Sequence, residues 1–351
     1  MIRMTQKQQR ITSVFLENGT LSSSLVYKKL LEAGDIISLV TVKRTLSAMA
    51  REGILSISGA RRTTVYSVTA TGRIFANIDP KEYCRIEPDK RYGLKTFNLE
   101  LLPKLSQGIF TEEELKILDN ATLIYEKRTE DLPTSIQKKE LERLVIELSW
   151  KSSKIEGNTY TLLDTEKLIL ENKEAVGHDK KEALMILNHK DAFNFVHECK
   201  EQFKTLTRKN LEELHKVIIK GLDVDTGLRR KPVGVLGSVY RPLDNIYQIT
   251  EALDTLSSAV SQAQTPYAKA ILALLGTSYI QPFADGNKRT SRLIANAVLL
   301  AHKCAPLSYR SVDENEYREA MLVFYELNSV MPIKKIFINQ YKFAAENYAV
   351  K

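Results

Sequence analysis

The stretch Tyr279-Ile280-Gln281-Pro282-Phe283-Ala284-Asp285-Gly286-Asn287-Lys288-Arg289-Thr290-Ser291-Arg292 decides how this chain is read. Before it, residues 270–275 are rich in alanine and leucine. After it, Leu293, Ile294, Ala297, Val298 and Ala301 recur at helical spacing, so the pattern predicts two buried helices joined by a polar turn. Pro282 ends the first helix, Asp285 and Gly286 suit a tight loop, and Arg289 opens a second helix whose start is far more polar than packing requires. Free backbone N–H groups at that start, the Asn287 side chain, and arginines at 289 and 292 are suited to hold a polyphosphate. Asp285 is placed to hold a divalent cation. The bland alternative is an interhelical loop whose arginines pair with acidic neighbours.

A second stretch lies about 130 residues upstream: Ser152-Ser153-Lys154-Ile155-Glu156-Gly157-Asn158-Thr159. Leu141, Leu144, Val145 and Leu148 lead into it at helical spacing, and Gly157 or Asn158 ends the helix. Glu156 then falls in the last turn, where the helix dipole disfavours a carboxylate, so it calls for a compensating cation.

Together the two stretches resemble the Fic (Fido) domain family. Its signature reads His-Pro-Phe-x-Asp/Glu-Gly-Asn-Gly/Lys-Arg with a second arginine three residues on, matched here by Pro282, Phe283, Asp285, Gly286, Asn287, Lys288, Arg289 and Arg292. The first position differs, since Gln281 stands where the family has its general-base histidine. The upstream stretch resembles the family's inhibitory motif Ser/Thr-x-x-x-Glu-Gly/Asn, through Ser152, Glu156 and Gly157. The resemblance implies a mainly α-helical bundle over about 110–347 and transfer of AMP from ATP, with Mg²⁺, to a protein hydroxyl. Asp285 would hold the metal, Gly286 and Asn287 the α-phosphate region, Arg289 the β-phosphate and Arg292 the γ-phosphate, with Lys288 among the nucleotide-binding residues. Gln281, Asn287 and Arg289 occupy the catalytic positions, and Glu156 is expected on Arg292. Lys288 also occurs in relatives that phosphorylate, which leaves the transferred group open. Gln281 leaves two readings: an enzyme impaired by the loss of its base, or a nucleotide-sensing, DNA-binding regulator without transferase activity. A glutamine amide does not accept a proton at neutral pH.

Between the motifs, the glycines and alternating apolar residues of 233–242 predict a β-hairpin. By resemblance it is the flap that pins a target segment by strand-like pairing, with Gly237, Ser238, Val239 and Tyr240 as its edge. The target would be a protein carrying a Ser, Thr or Tyr hydroxyl, this chain included. His189, His197 and His215 lie on predicted helices, too far apart in sequence for a local metal pair, and read as core or surface residues.

The N-terminal segment is predicted as a helix-turn-helix with a wing. Helices over about 5–17 and 22–32 precede a third that opens at Ser38 or Thr41. This one turns Val42, Thr45, Leu46 and Met49 inward and Lys43, Arg44 and Ser47 outward. Residues 54–57 and 64–68 read as two strands whose connection carries Arg61 and Arg62. Residues 1–75 hold eleven basic and four acidic side chains, a net of +7, whereas the whole chain is +8. The basic character therefore belongs to this segment. It is similar to winged helix-turn-helix DNA-binding domains, which implies DNA contacts from Thr41, Lys43, Arg44, Ser47, Arg61 and Arg62. Protein contact is the competing use of the same surface.

The expected division is a winged helix over 1–76, a connector over 77–109 with an extended piece near 96–101, and a Fic domain over 110–351 whose inhibitory helix spans about 134–157. A composition of 43% hydrophobic residues supports packed cores. Cys84, Cys199 and Cys304 show no metal-binding or disulfide spacing. The absence of a long apolar run argues against a membrane span and for a cytoplasmic protein. A homodimer is compatible with the sequence, which does not specify one.

Overall fold

The computed structural model describes residues 3–106 and 108–350. The fold is mainly α-helical, and its backbone contacts separate into two compact units. The first takes in residues 1–105 together with 234–241 and 319–334; the second takes in 106–233, 242–318 and 335–351.

In the first unit, α1 (Gln6–Asn18), α2 (Ser23–Glu32) and α3 (Leu39–Arg51) precede β1 (Leu55–Ser58) and β2 (Val65–Val68). Each helix begins where a side-chain oxygen satisfies an otherwise unpaired N–H: Thr5, Ser22 and Ser38 are the caps. The strands pair antiparallel from Leu55 with Val68 to Ser58 with Val65, and Leu21 bridges Tyr66 beyond them. Ile11, Phe15, Val26, Leu30, Val42, Leu46, Met49 and Ile54 form the core, leaving Lys43, Arg44, Ser47, Arg61 and Arg62 exposed. Short helices α4 (Ala70–Ile74), α5 (Pro80–Cys84) and α6 (Leu101–Leu105) follow. The extended piece expected near 96–101 reduces to one bridge, Thr96 with Arg241.

The second unit holds α7 (Glu112–Thr129), α8 (Thr134–Ile155), α9 (Leu162–Glu171), α10 (Lys180–Glu198), α11 (Arg208–Ile218), α12 (Ile246–Gln262), α13 (Pro266–Ile280) and α14 (Asn287–Ala301). The helices α15 (Glu314–Leu327) and α16 (Met331–Asn347) each have residues assigned to both units. The central pair is α13 and α14, with α12 against α13, and α10 and α11 against α14. Burial explains their composition. Every residue from Ala270 to Ile280 is buried, and at Gly276 an added Cβ would sit 2.2 Å from the Leu256 side chain. Only a residue without a side chain lets α12 approach so closely.

The β-hairpin expected over 233–242 is not formed. The segment makes one turn, in which the Ser238 N–H donates to the Val235 carbonyl at 3.0 Å, and Arg241 donates to Lys95 rather than to a partner strand. Pro232 and Pro242 bracket the segment and supply no N–H, so a ladder has little room to extend. No helix among the described residues is long and apolar enough to cross a membrane.

Candidate nucleotide site

The turn between α13 and α14 is held from three directions. Gln281 caps α13 in the left-handed region, at φ 50°. The buried Arg229 guanidinium donates to its carbonyl at 2.6 Å, and the Arg229 N–H donates to Pro282. Arg229 also donates to the Lys231 and Leu243 carbonyls, fixing the chain on both sides of 234–241. From below, His215 of α11 stacks on Phe283 with ring centroids 3.7 Å apart, and its Nε2 donates to the Asp285 carbonyl at 2.9 Å. From within, Asn287 accepts from the Phe283 N–H and donates to the Phe283 carbonyl, both at 2.8 Å.

The Asn287 side chain thus closes the loop, and the start of α14 presents its backbone N–H groups beside it. Gly286, at φ 78°, precedes α14 without a side-chain cap, so the first N–H groups of the helix lack an internal partner. A Cβ at Gly286 would meet Ile219 and His215 at ordinary contact distance, so it is the positive φ that favours glycine there.

Two arginines stand behind this helix start. Arg292 is fully buried; its Nε donates to Ser152 Oγ at 2.8 Å and its Nη2 to the Ser152 carbonyl at 2.9 Å. The same Nη2 lies 2.9 Å from Glu156 Oε1, a close ion pair outside hydrogen-bond geometry. Lys288 approaches the other carboxylate oxygen, with Nζ 3.5 Å from Oε2. Glu156 thus ends α8 against two cations. Burial alone would raise its carboxyl pKa, but Arg292 and then Lys288 outweigh burial and hold it below the ordinary value. Burial likewise works against the charge on Arg292, and Glu156 more than restores it. Arg289 is 3% exposed and reaches Asp285 at 3.2 Å, whereas the Asp285 side chain is two-thirds exposed.

The Nη1 atoms of Arg289 and Arg292 are both buried without a hydrogen-bond partner. Unsatisfied buried guanidinium donors beside an uncapped helix start are a site for an anion. Gln281, at the head of the turn, supplies no proton acceptor beside them. The Gln281 side chain donates back to the Ser278 carbonyl at 2.7 Å. Burial lowers the His215 pKa to about 4, and burial together with the nearby arginines lowers that of His189 well below normal. Both rings are neutral core groups, and among the described residues no three His, Cys, Asp or Glu side chains cluster as metal ligands.

Residues 205–299 match the family model Fic/DOC family. Over these residues the chain is similar to Fic/DOC domains. Residues 1–78 separately match the model of the Ferric uptake regulator family, over the winged helix-turn-helix. Among curated proteins, the Protein adenylyltransferase Fic of Drosophila willistoni is 34% identical over 46% of this chain and 33% of its own length. That of Drosophila yakuba is 33% identical over 46% and 34% respectively. The chain thus spans about a third of the length of the curated relatives it matches. Two solved structures share the fold. Fic-1 (aa134–508) from C. elegans has TM-score 0.56 at 16% identity, over 67% of this chain and 71% of that one. A Fic domain containing signaling protein from Bacteroides thetaiotaomicron has TM-score 0.55 at 18% identity, over 65% and 94%.

Glu156, Lys288, Arg289 and Arg292, which the sequence singles out, meet at the start of α14. Sequence reasoning gives Arg229 and His215 no part in the loop. The signal for His215 was available: Leu211, Leu214, His215 and Ile218 share one buried helical face. Arg229 lies in irregular chain, where no periodicity announces burial.

Proposed function

We propose that this chain is an adenylyltransferase-type protein held in an inhibited state. It would transfer AMP from ATP to a Ser, Thr or Tyr hydroxyl of a protein, its own included, with the transfer step impaired because Gln281 takes the place of a base. The observation that carries this reading is Glu156, bound to Arg292 and Lys288 beside two unsatisfied guanidinium nitrogens. A triphosphate supplies the anionic oxygens these donors lack, and the carboxylate stands where it competes for Arg292. Asp285, exposed and next to Arg289, would hold Mg²⁺, which neutralises phosphate charge when bound. In the transfer, the hydroxyl oxygen bonds to the α-phosphorus, the bond to the β-phosphate bridging oxygen breaks, and pyrophosphate leaves. The hydroxyl proton needs an acceptor, and the Gln281 amide provides none. The turn at 236–240 would receive the target segment.

The winged helix would bind duplex DNA through Thr41, Lys43, Arg44, Ser47, Arg61 and Arg62, a reading supported by the charge of the four basic residues and the exposure of all but the half-buried Thr41. A regulator that senses nucleotide without transferring it is the second reading, favoured by the inward-turned Gln281 side chain.

The test is the double variant Gln281→His, Glu156→Gly, incubated with Mg²⁺ and ATP labelled at the α- or γ-phosphate. Protein-bound α-label supports AMP transfer, and γ-label alone supports the phosphotransfer that Lys288 leaves open. ATP binding with neither label incorporated favours the sensor.

A further inference from the structure

The turn at 236–240 belongs to the same compact unit as the winged helix, and a buried ionic hub accounts for this. Glu326, with no exposed surface, accepts from Ser238 Oγ at 2.7 Å and from Arg91 at 3.3 Å on Oε1, and from the Tyr83 hydroxyl at 2.6 Å on Oε2. Arg91, itself nearly buried, donates also to the Gly237 carbonyl at 2.9 Å and to the carbonyls of Cys84 and Ile86. Ser238 Oγ in turn accepts from the Tyr240 N–H at 3.1 Å, and the Tyr240 ring stacks on Tyr325. Three side chains from separate stretches thus converge on one carboxylate, and two of them bind the turn.

Tyr83 faces the other way as well. Its ring packs in a core with Leu16 of α1, Ala76, Ile78, Val323 and Leu327, against which Val68 of β2 also rests. Ser329 donates to the Ala76 carbonyl and the Val330 N–H to Ile74, so the chain just after α15 is stitched to the end of the winged helix. A buried carboxylate that loses one of its partners is strongly disfavoured, so a shift of Tyr83 is opposed unless Arg91 and Ser238 follow.

We propose that Glu326 is a positioning residue for the 236–240 turn and that Tyr83 makes its setting responsive to the winged helix, so that DNA bound there alters the surface that receives the target. The proposal rests on the DNA-binding and target-binding readings above. It differs from them in linking two surfaces through named hydrogen bonds.

Amide hydrogen exchange on the full chain, with and without a mixed-sequence DNA duplex, tests it, with DNA binding followed separately by fluorescence anisotropy. Bound DNA is expected to change exchange several-fold at Ser238 and Tyr240. Tyr83→Phe, which removes one hydroxyl, should abolish that response while DNA still binds. Ser238→Ala should speed exchange at Tyr240 about tenfold, as for one lost hydrogen bond, and leave the core of the unit protected. DNA binding without any change at 236–240 overturns the proposal and leaves the winged-helix reading standing, as does an undiminished response in Tyr83→Phe. Absence of DNA binding overturns both.

Discussion

Two pairs of arginines in this chain are held in opposite ways. Arg61 and Arg62 stand exposed at the tip of the wing, where each keeps its water and no fixed partner is needed. Arg289 and Arg292 have lost theirs: they are buried, partly satisfied, and beside a carboxylate of the chain's own. Exposed cations attract any polyanion from a distance and yield to salt. Buried ones wait for a ligand that fits and must first be released. Charge of one sign therefore supports two kinds of recognition, and the solvent around it decides which.

The largest expected effect breaks the inhibited arrangement. Gln281→His alone should stay nearly silent, because Glu156 still occupies Arg292. Adding Glu156→Gly should release labelling, and the double variant should exceed Glu156→Gly alone by about 10²–10⁴ in α-phosphate labelling, the usual worth of a general base. Equal labelling in Gln281→His and the double variant would show that Glu156 merely ends a helix.

Next in size is stability. Arg292→Ala should cost about 3 kcal/mol in chemical denaturation, since the buried Ser152 acceptors lose their donor, a cavity is left, and Glu156 keeps only Lys288. Arg61→Ala should cost no more than about 0.5 kcal/mol. Similar losses for the two would erase the distinction drawn above.

How much of this was legible follows the same divide. Periodicity placed the helices of the winged unit and of the bundle, and in the structure Thr5, Ser38, Thr111 and Thr207 cap the helices that follow them. A carboxylate at a helix end called for a cation, and the family resemblance named Arg292 as that cation, which lies 2.9 Å from Glu156. What stayed hidden depends on contacts between distant stretches: the closing of the loop by Asn287, the grip of Arg229, and the diversion of 234–241 from a strand pair to the Glu326 hub. Local pattern carries no record of a guanidinium whose acceptors lie far away in the sequence.

An acid titration sharpens the contrast for His215. Its folded-state pKa, about 4, lies below the ordinary 6.5, so between these values the unfolded chain takes up the proton and the folded one does not. The stability it contributes is complete above pH 6.5 and is lost as pH falls to 4, by about 3 kcal/mol. His215→Phe should flatten that part of the profile, and an unchanged slope would count against a buried neutral ring. Glu156 works lower: its pKa is depressed, so the lock on Arg292 is intact above the ordinary carboxyl range and fails as pH drops beneath it.

The smallest effect belongs to the wing. The affinity of the chain for duplex DNA should fall steeply with salt, and replacing Arg61 and Arg62 by alanine should flatten the log–log slope by about 2. An unaltered slope would remove the wing from the interface.

The backbone at Gln281 has a genetic consequence. Its left-handed conformation, φ 50°, is one that histidine adopts more readily than most residues with a side chain. Every glutamine codon becomes a histidine codon by a change in its third base alone. The main chain that Arg229 and Asn287 hold in place would accept the exchange, so in this lineage the base would lie one point mutation away and chemistry a second, at Glu156.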